Sequence, residues 1–172
     1  MIKAVLFDLD DTLVRLNLSA FIARYVAGAS RLLASAARTN PISLGGPYVR
    51  AFLAIDSQKR SDSLTNEQLF NRTFFESTGI PLDDPVIADL VSYYESEIVP
   101  GFSGGIVAAH PVPGAREAIE AVHDMGLVCA LATNPTFSLS CDRARMGWAG
   151  VCEGDFALVS TYSNSTRCKP ST

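Results

Sequence analysis

The sequence predicts an α/β fold in which a helical section interrupts a core built on a parallel sheet. The apolar run from Ala4 to Phe7 is typical of a strand buried on both faces. Helical periodicity then dominates residues 15–108, and strand–helix alternation follows that section. We therefore expect one α/β core domain made of residues 1–14 and 109–172, with residues 15–108 inserted as a helical subdomain.

Composition excludes several classes of protein. The 172 residues are 48% hydrophobic, enough for a substantial core, and the net charge is −4. No block of lysine and arginine offers a nucleic-acid surface, and arginines interrupt the apolar stretch at 18–33 too often for a membrane span. The N-terminus leads directly into a strand instead of an apolar leader, so we expect a cytoplasmic protein without nucleic-acid or membrane partners.

Four cysteines are present, and none of them has the C-x-x-C spacing of a zinc site. Thiols stay reduced in a cytoplasmic setting. We therefore interpret all four as packing or bystander residues: Cys129, Cys141, Cys152 and Cys168.

Helix signals divide the helical section. The stretch 39–47, which contains Gly45-Gly46-Pro47, predicts a turn or loop. Thr65 and Gln68 form the pattern of a capping box at the start of a helix. After a long first helix, the section should therefore hold helices at about 48–57, 65–77 and 84–97.

Strand–helix alternation resumes after the helical section. Pro113-Gly114 opens a helix that should end at Gly126, a typical C-terminal cap residue. Residues 127–131 predict a buried strand, and a helix at about 138–147 and a strand at 156–161 follow. This order of elements is typical of parallel strand pairing.

Two aspartates follow the first strand. Side chains alternate along a strand, so Asp8 and Asp10 should project from the same side of it. Neighbouring carboxylates are costly unless they bind a cation, share a proton or take part in chemistry. A nucleophile beside an acid–base group is one interpretation, and an Asp-rich turn that ends the strand is the other.

Further polar residues follow at later strand ends. Thr133 and Asn134 come after the strand at 127–131, at the edge of a parallel sheet where ligands bind. Lys169 is one of only three lysines in the chain and follows the last predicted strand. The structural alternatives are that Thr133 merely ends a strand and that Lys169 is a surface side chain.

Together these residues resemble the haloacid dehalogenase-like superfamily of hydrolases. The resemblance rests on Asp8-Leu9-Asp10-Asp11-Thr12 as a first motif, Thr133-Asn134 as a second and Lys169-Pro170 as a third, in the family's order. It implies a Rossmann-like parallel sheet core with an inserted α-helical cap at residues 15–108. The chain also resembles a bacterial subgroup of this superfamily, on the stretches Ala132-Thr133-Asn134-Pro135, Trp148-Ala149-Gly150 and Cys168-Lys169-Pro170. This narrower resemblance implies no particular substrate.

The resemblance implies a Mg²⁺-dependent phosphatase of a small phosphorylated metabolite. Asp8 would attack phosphorus and form an aspartyl-phosphate, and Asp10 would protonate the leaving alcohol and then activate water. Mg²⁺ would bind Asp8 and the backbone carbonyl of Asp10. Thr133 and Asn134 would bind the phosphoryl group, and Lys169 would place its cation beside Asp8 and the phosphoryl oxygens.

Two other kinds of function are compatible with the same motifs. A dehalogenase or a phosphonate hydrolase can share the fold, but a dehalogenase has no leaving alcohol for Asp10 to protonate. Schiff-base phosphonate chemistry would depend on Lys59, the single lysine of the helical section. The alternative outside enzymes is a degenerate or truncated domain that binds a ligand or partner without turnover.

The family's fourth motif, an acidic pair on a strand end after the lysine, is missing. Gly154-Asp155 precedes its predicted strand and does not fit that role. Because the missing strand lies beside the first one in the family, we expect Val5 to Phe7 to form an exposed apolar edge. We also expect the natural protein to continue beyond Thr172, and Mg²⁺ to bind weakly without the fourth motif.

Overall fold

The computed structural model describes residues 2–170. Within them, five strands form two sheets: β1 (Ala4–Phe7), β2 (Val14–Arg15), β3 (His110–Pro111), β4 (Val128–Leu131) and β5 (Leu158–Val159). The larger sheet is parallel, with β4 between β1 and β5. The smaller sheet pairs β2 with β3 in antiparallel fashion. The parallel sheet confirms the predicted α/β core.

The first strand lies at an open edge of the parallel sheet. Within the described residues β1 pairs only with β4, and its side chains alternate between core and solvent. Val5 and Phe7 pack against the core, whereas Leu6, Val128 and Leu158 lie on the outer face with exposures of 67%, 49% and 62%. The expected apolar edge is confirmed. The prediction that this strand is buried on both faces is wrong for the described chain, because nothing within it covers the outer face.

Four α-helices make up most of the helical section as the structure describes it: α1 (Leu18–Ala37), α2 (Ile42–Asp56), α3 (Asn66–Thr78) and α4 (Pro85–Tyr93). Aromatic side chains join the first three, with Tyr48 packed edge-on against Tyr25 and 4.8 Å from Phe74 between ring centroids. The predicted capping box opens α3. Thr65 Oγ1 accepts the Gln68 N–H, and the Gln68 side chain accepts the Thr65 N–H.

Helix α2 contradicts the prediction of a loop at residues 39–47. It begins at Ile42, so Gly45-Gly46-Pro47 lies inside it. Glycine and proline disfavour a helix locally. One face of α2 is nevertheless buried, and it consists of residues at helical spacing: Leu44, Tyr48, Ala51 and Ile55. Packing of this apolar face against the neighbouring helices outweighs the local propensity.

A π-helical turn (Tyr94–Ile98) and a 3₁₀ helix (Val99–Phe102) follow α4, where the sequence predicts one continuous helix. Tyr94 is buried, and its hydroxyl donates to the carbonyl of Tyr25 over 2.8 Å. This close approach to α1 requires glycine at position 28, because a Cβ atom on Gly28 would collide with the Tyr94 hydroxyl. The irregular turn therefore fixes the end of α4 against α1.

Two helices belong to the core: α5 (Ala115–Asp124) and α6 (Leu139–Trp148). The chain leaves α5 through Gly126 in the left-handed conformation, as predicted, with φ at 67°. Ser138 caps α6 by accepting the backbone N–H of Cys141. Both helices confirm the prediction within a few residues, whereas β5 is shorter than the predicted strand at 156–161.

The two-stranded sheet lies where the chain enters and leaves the helical section. Val14 stands opposite Pro111, and the Asn17 N–H donates to the carbonyl of Val107 over 2.8 Å. The two connections therefore run side by side. Strands of two residues are too short to show a period of two, so the sequence does not predict this sheet.

The four cysteines are free thiols, of which Cys152 is exposed and the other three are buried. None of the helices within residues 2–170 combines the length and the apolar character needed to cross a membrane.

Candidate active site

The Asp8 carboxylate and the Lys169 ammonium form an ion pair at the end of the parallel sheet. Nζ of Lys169 lies 2.9 Å from Oδ1 of Asp8, and the two side chains are 48% and 42% exposed. Asp8 directly follows β1, and Lys169 lies on the loop after β5. The fold thus brings together two residues that belong to separate sequence motifs.

A tight turn shapes the segment after β1. The carbonyl of Leu9 accepts the N–H groups of Leu13 and Val14 over 2.9 and 3.0 Å, and all three residues are buried. Asp11 adopts the left-handed conformation with φ at 59°, which aspartate tolerates better than most residues. Asp11 is exposed and serves the turn, whereas its two neighbouring aspartates have ionic partners.

Thr133 lies at the same end of the sheet as Asp8. The Ala132 N–H donates to the carbonyl of Phe7 over 2.7 Å, which continues the pairing of β1 and β4 past their ends. Thr133 is 2% exposed, and its Oγ1 has no hydrogen-bond partner within residues 2–170. A buried unpaired hydroxyl is costly, so this group is suited to a ligand oxygen.

Asn134 makes a contact that the sequence does not predict. Its Oδ1 accepts the backbone N–H of Lys169 over 3.1 Å. The hydroxyl of Ser160 donates to the carbonyl of Thr133 over 2.8 Å, from the strand end next to it. These two bonds fix the loop that carries the ammonium to the loop that carries the unpaired hydroxyl.

Asp10 binds a residue that the sequence analysis missed. Nη1 of Arg145, on α6, lies 2.5 Å from Oδ2 of Asp10, and Nη2 lies 2.5 Å from Oδ1 of Asp142. The side chains of Arg145 and Asp142 are almost completely buried, and that of Asp10 is 19% exposed. The available signal was the i, i+3 spacing of Asp142 and Arg145 on a predicted helix, which usually marks a surface pair.

Burial dominates the electrostatics of this cluster. It acts to raise the pKa of Asp142, against the opposing effect of the Arg145 guanidinium. Oδ1 of Asp10, Oδ2 of Asp142 and Nε of Arg145 are buried without a hydrogen-bond partner in the described part of the chain. The cluster therefore has unused hydrogen-bonding capacity two residues from Asp8.

A comparison with protein families decides the class of this protein. The family described as haloacid dehalogenase-like hydrolases matches residues 2–171. The chain belongs to this hydrolase family. The resemblance carried by the three motifs is thereby confirmed. A comparison with curated proteins gives no match.

Solved structures resemble this family member at low sequence identity, and the first of them shares its fold. A hydrolase from Pseudomonas syringae is 13% identical with a TM-score of 0.51, over 99% of this chain and 65% of that one. CbbY from Rhodobacter sphaeroides in complex with phosphate is 19% identical with a TM-score of 0.49, over 99% and 68%. A HAD phosphatase from Thermococcus onnurineus is 15% identical with a TM-score of 0.48, over 95% and 63%. The chain thus spans about two thirds of the length of these structures.

A cavity of about 320 Å³ lies between the helical section and the loop after Asn134. Glu95 is in its wall, where Oε1 accepts the Tyr25 hydroxyl over 2.7 Å and Oε2 accepts the Ser138 hydroxyl. Burial raises the pKa of Glu95, although both hydrogen bonds act in the opposite direction. Among residues 2–170, no lysine, arginine or histidine and no residue of the three family motifs lines the cavity. An acidic cavity of this kind does not suit an anionic phosphoryl group.

In the part of the chain that the structure describes, acidic side chains beyond the first motif do not form a cluster with Asp8. Asp155, from the pair considered for the fourth motif, binds Arg116 over 2.8 Å and accepts the Cys152 N–H over 2.7 Å. Within residues 2–170, no three histidine, cysteine or acidic side chains cluster as a metal site would require. Asp8 and the carbonyl of Asp10 remain the candidate metal ligands.

Proposed function

We propose that this site hydrolyses the phosphate monoester of a small cytoplasmic metabolite, in a Mg²⁺-dependent reaction that passes through an aspartyl-phosphate on Asp8. The observation that carries the proposal is the ion pair of Asp8 with Lys169 at the sheet edge. The ammonium offers positive charge to a phosphoryl group bound beside the nucleophile. Thr133 adds an unpaired hydroxyl at the same end of the sheet.

Phosphoryl transfer to Asp8 is the first step. An oxygen of Asp8 attacks phosphorus, and the bond from phosphorus to the alcohol oxygen breaks. Asp10 gives its proton to the departing oxygen, so the alcohol leaves neutral. Lys169 and the Thr133 hydroxyl bind oxygens of the transferred group, and the Asn134 backbone N–H is the further candidate donor.

Hydrolysis of the acyl phosphate is the second step. Asp10, now ionised, takes a proton from water while the water oxygen attacks phosphorus. The bond between phosphorus and Asp8 breaks, and inorganic phosphate leaves. One water is consumed for each alcohol and phosphate released, and both aspartates return to their initial states.

The donor set at the first motif suits a magnesium ion that keeps most of its waters. Mg²⁺ binds proteins through one or two carboxylates together with substrate phosphates. The half-exposed carboxylate of Asp8 and the main-chain carbonyl of Asp10 fit that description. Bound there, the ion would supply positive charge to the phosphoryl oxygens. Because the described residues offer no cluster of three ligands, we expect its affinity to be low.

The helical section, residues 15–108, serves as the cap in this proposal. A cap screens the reacting groups from water and contacts the alcohol part of a substrate. The cavity between this section and the loop after Asn134 supports that role, since residues of both parts of the chain line it close to the second motif.

The test is hydrolysis of p-nitrophenyl phosphate with Mg²⁺ and with EDTA. Asp8→Asn should abolish turnover, because an amide oxygen does not attack phosphorus in this way. Asp11→Asn is the matched control, since the same substitution falls on an exposed turn residue whose conformation asparagine tolerates. Metal-dependent turnover lost only in Asp8→Asn supports the proposal, and turnover retained in that variant contradicts it.

Folded wild-type protein without turnover would favour a second function, a domain that binds without catalysis. The observation that favours this function is that residues 2–170 contain no cluster of three metal-ligating side chains. Calorimetric titration with inorganic phosphate then separates a binding site from an inactive one. Binding that is lost in Lys169→Met would establish the non-catalytic function.

A further inference from the structure

Arg145 holds the side chain of Asp10 from the interior of the protein. Its guanidinium is 1% exposed and lies 2.5 Å from Oδ2 of Asp10, a residue 135 positions away in the sequence. We propose that Arg145 is a positioning residue that holds the side chain of Asp10 in the orientation it needs at the leaving group. This inference rests on the phosphatase function proposed above, in which Asp10 is the acid and then the base.

The guanidinium is itself held on its other side. Asp142, three residues earlier on α6 and fully buried, accepts Nη2 over 2.5 Å. Cζ of Arg145 also lies 4.9 Å from the centroid of the Phe137 ring, within the range of a cation–π contact. A planar fork with a carboxylate at each end does not rotate freely. It therefore presents Nη1 to Asp10 in one orientation.

This contact makes the two oxygens of Asp10 different. Oδ2 accepts the guanidinium N–H, whereas Oδ1 is buried and has no hydrogen-bond partner within residues 2–170. The contact at Oδ2 therefore sets the orientation of the whole carboxyl group. Arg145 also prevents the rotation that would exchange the two oxygens.

The site has one cation for each of the two aspartates Asp8 and Asp10. Lys169 is 48% exposed and binds Asp8, where it can also contact a phosphoryl group. Arg145 is buried beneath Asp10 and acts only through that side chain. Removal of Arg145 should therefore impair proton transfer to the leaving group and largely spare the attack by Asp8.

The test compares two substrates whose leaving groups differ in their need for a proton. p-Nitrophenolate leaves without protonation, whereas the alkoxide of glycerol 2-phosphate does not. We expect Arg145→Met to lower kcat/KM about 100-fold for glycerol 2-phosphate and less than about tenfold for p-nitrophenyl phosphate. Asp10→Asn should show the same selectivity. Arg143→Met, at an exposed position of α6, is the matched control and should leave the ratio of the two kcat/KM values unchanged.

Arg145→Lys is the second variant, because removal of a buried cation between two carboxylates can unfold the protein. Lysine keeps the charge but lacks the fork that reaches both carboxylates. It should therefore fold and still lose more activity on the alkyl ester than on the aryl ester.

Equal fold-losses on both substrates, in either Arg145 variant as a folded protein, overturn the inference, since a merely structural role affects both substrates alike. The two proposals fail in different ways. Wild-type protein that hydrolyses neither substrate refutes the phosphatase function and this inference with it. Turnover that depends on Asp8 but shows equal losses in the Arg145 variants overturns this inference alone.

Discussion

The side-chain amide of Asn66 donates to the carbonyl of Pro135 over 2.9 Å, across the boundary between α3 and the loop of the second motif. Asn66 is fully buried, and the same Nδ2 lies 3.6 Å from Sγ of Cys168, next to the lysine of the third motif. Its Oδ1 accepts a guanidinium N–H of Arg60. One residue of the helical section thus contacts both loops that meet at Asp8.

Asn66→Ala should lower the free energy of unfolding by about 1–3 kcal/mol, because it leaves buried polar groups without partners. Denaturant unfolding measures the change. Asn71→Ala is the control, since Asn71 lies on the same helix and is only partly buried. Equal losses in the two variants would show that the contact with Pro135 contributes nothing specific.

Lys169→Met should lower kcat for p-nitrophenyl phosphate by about 100-fold or more, because the transferred group loses its ammonium partner. The thermal midpoint should change little, since the ion pair with Asp8 is half exposed. Lys3→Met, which removes another of the three lysines, controls for the loss of one charge. Similar kinetics in both variants would contradict the assigned role.

The free energy of unfolding should fall as the pH rises, because Glu95 ionises. Burial holds the pKa of this carboxyl above its ordinary value of 4.5, so the folded state binds the proton more tightly than the unfolded state. The resulting stabilisation is complete below pH 4.5 and is lost as pH rises through the raised pKa. Glu95→Gln keeps one oxygen that can accept a hydroxyl of Tyr25 or Ser138, offers an NH₂ donor to the other, and removes the titration.

Urea unfolding across a pH series tests this prediction. The free energy of unfolding should fall less steeply above pH 4.5 in Glu95→Gln than in wild type. Glu97→Gln, an exposed glutamate in the same π-helical turn, should follow wild type. Parallel curves for Glu95→Gln and wild type would show that Glu95 does not titrate on unfolding.

The open edge of β1 should make the chain associate. Leu6 is 67% exposed on an apolar sheet face beside unpaired backbone groups, an arrangement that favours pairing between chains. Leu6→Lys should therefore reduce association measured by light scattering over a concentration series. Ile106→Lys, at a turn residue that is 71% exposed, should not. A monomeric wild type at all concentrations would contradict the prediction.

The end of a strand is visible in sequence where an apolar run meets polar residues. For that reason Asp8 and Thr133 can be identified without a structure, and parallel pairing implies that they share one edge. Lys169 has no such local signal, and the expectation that it lies near Asp8 comes from the family's order of motifs. The contact itself depends on the path of the loop after β5, which the sequence does not reveal.

Other features depend on packing that no local pattern encodes. Helix α6 carries Arg143 and Arg145, and only the fold decides that the first faces solvent while the second is buried against Asp10. Gly45-Gly46-Pro47 disfavours a helix by propensity, yet lies within α2 because neighbouring apolar residues pack on α1 and α3. In each case a tertiary contact outweighs the local preference.

Because Val14 and Pro111 face each other in β2 and β3, the chain leaves the core and returns to it within one strand spacing, about 5 Å. To the core, the whole helical section is equivalent to a hairpin loop, and lengthening such a loop adds little closure entropy. The ribbon alone does not uncouple the two parts, because Asn66 of the helical section also binds the carbonyl of Pro135 and lies beside Cys168. A replacement of the helices that leaves the loop of Lys169 in place must therefore supply these contacts again.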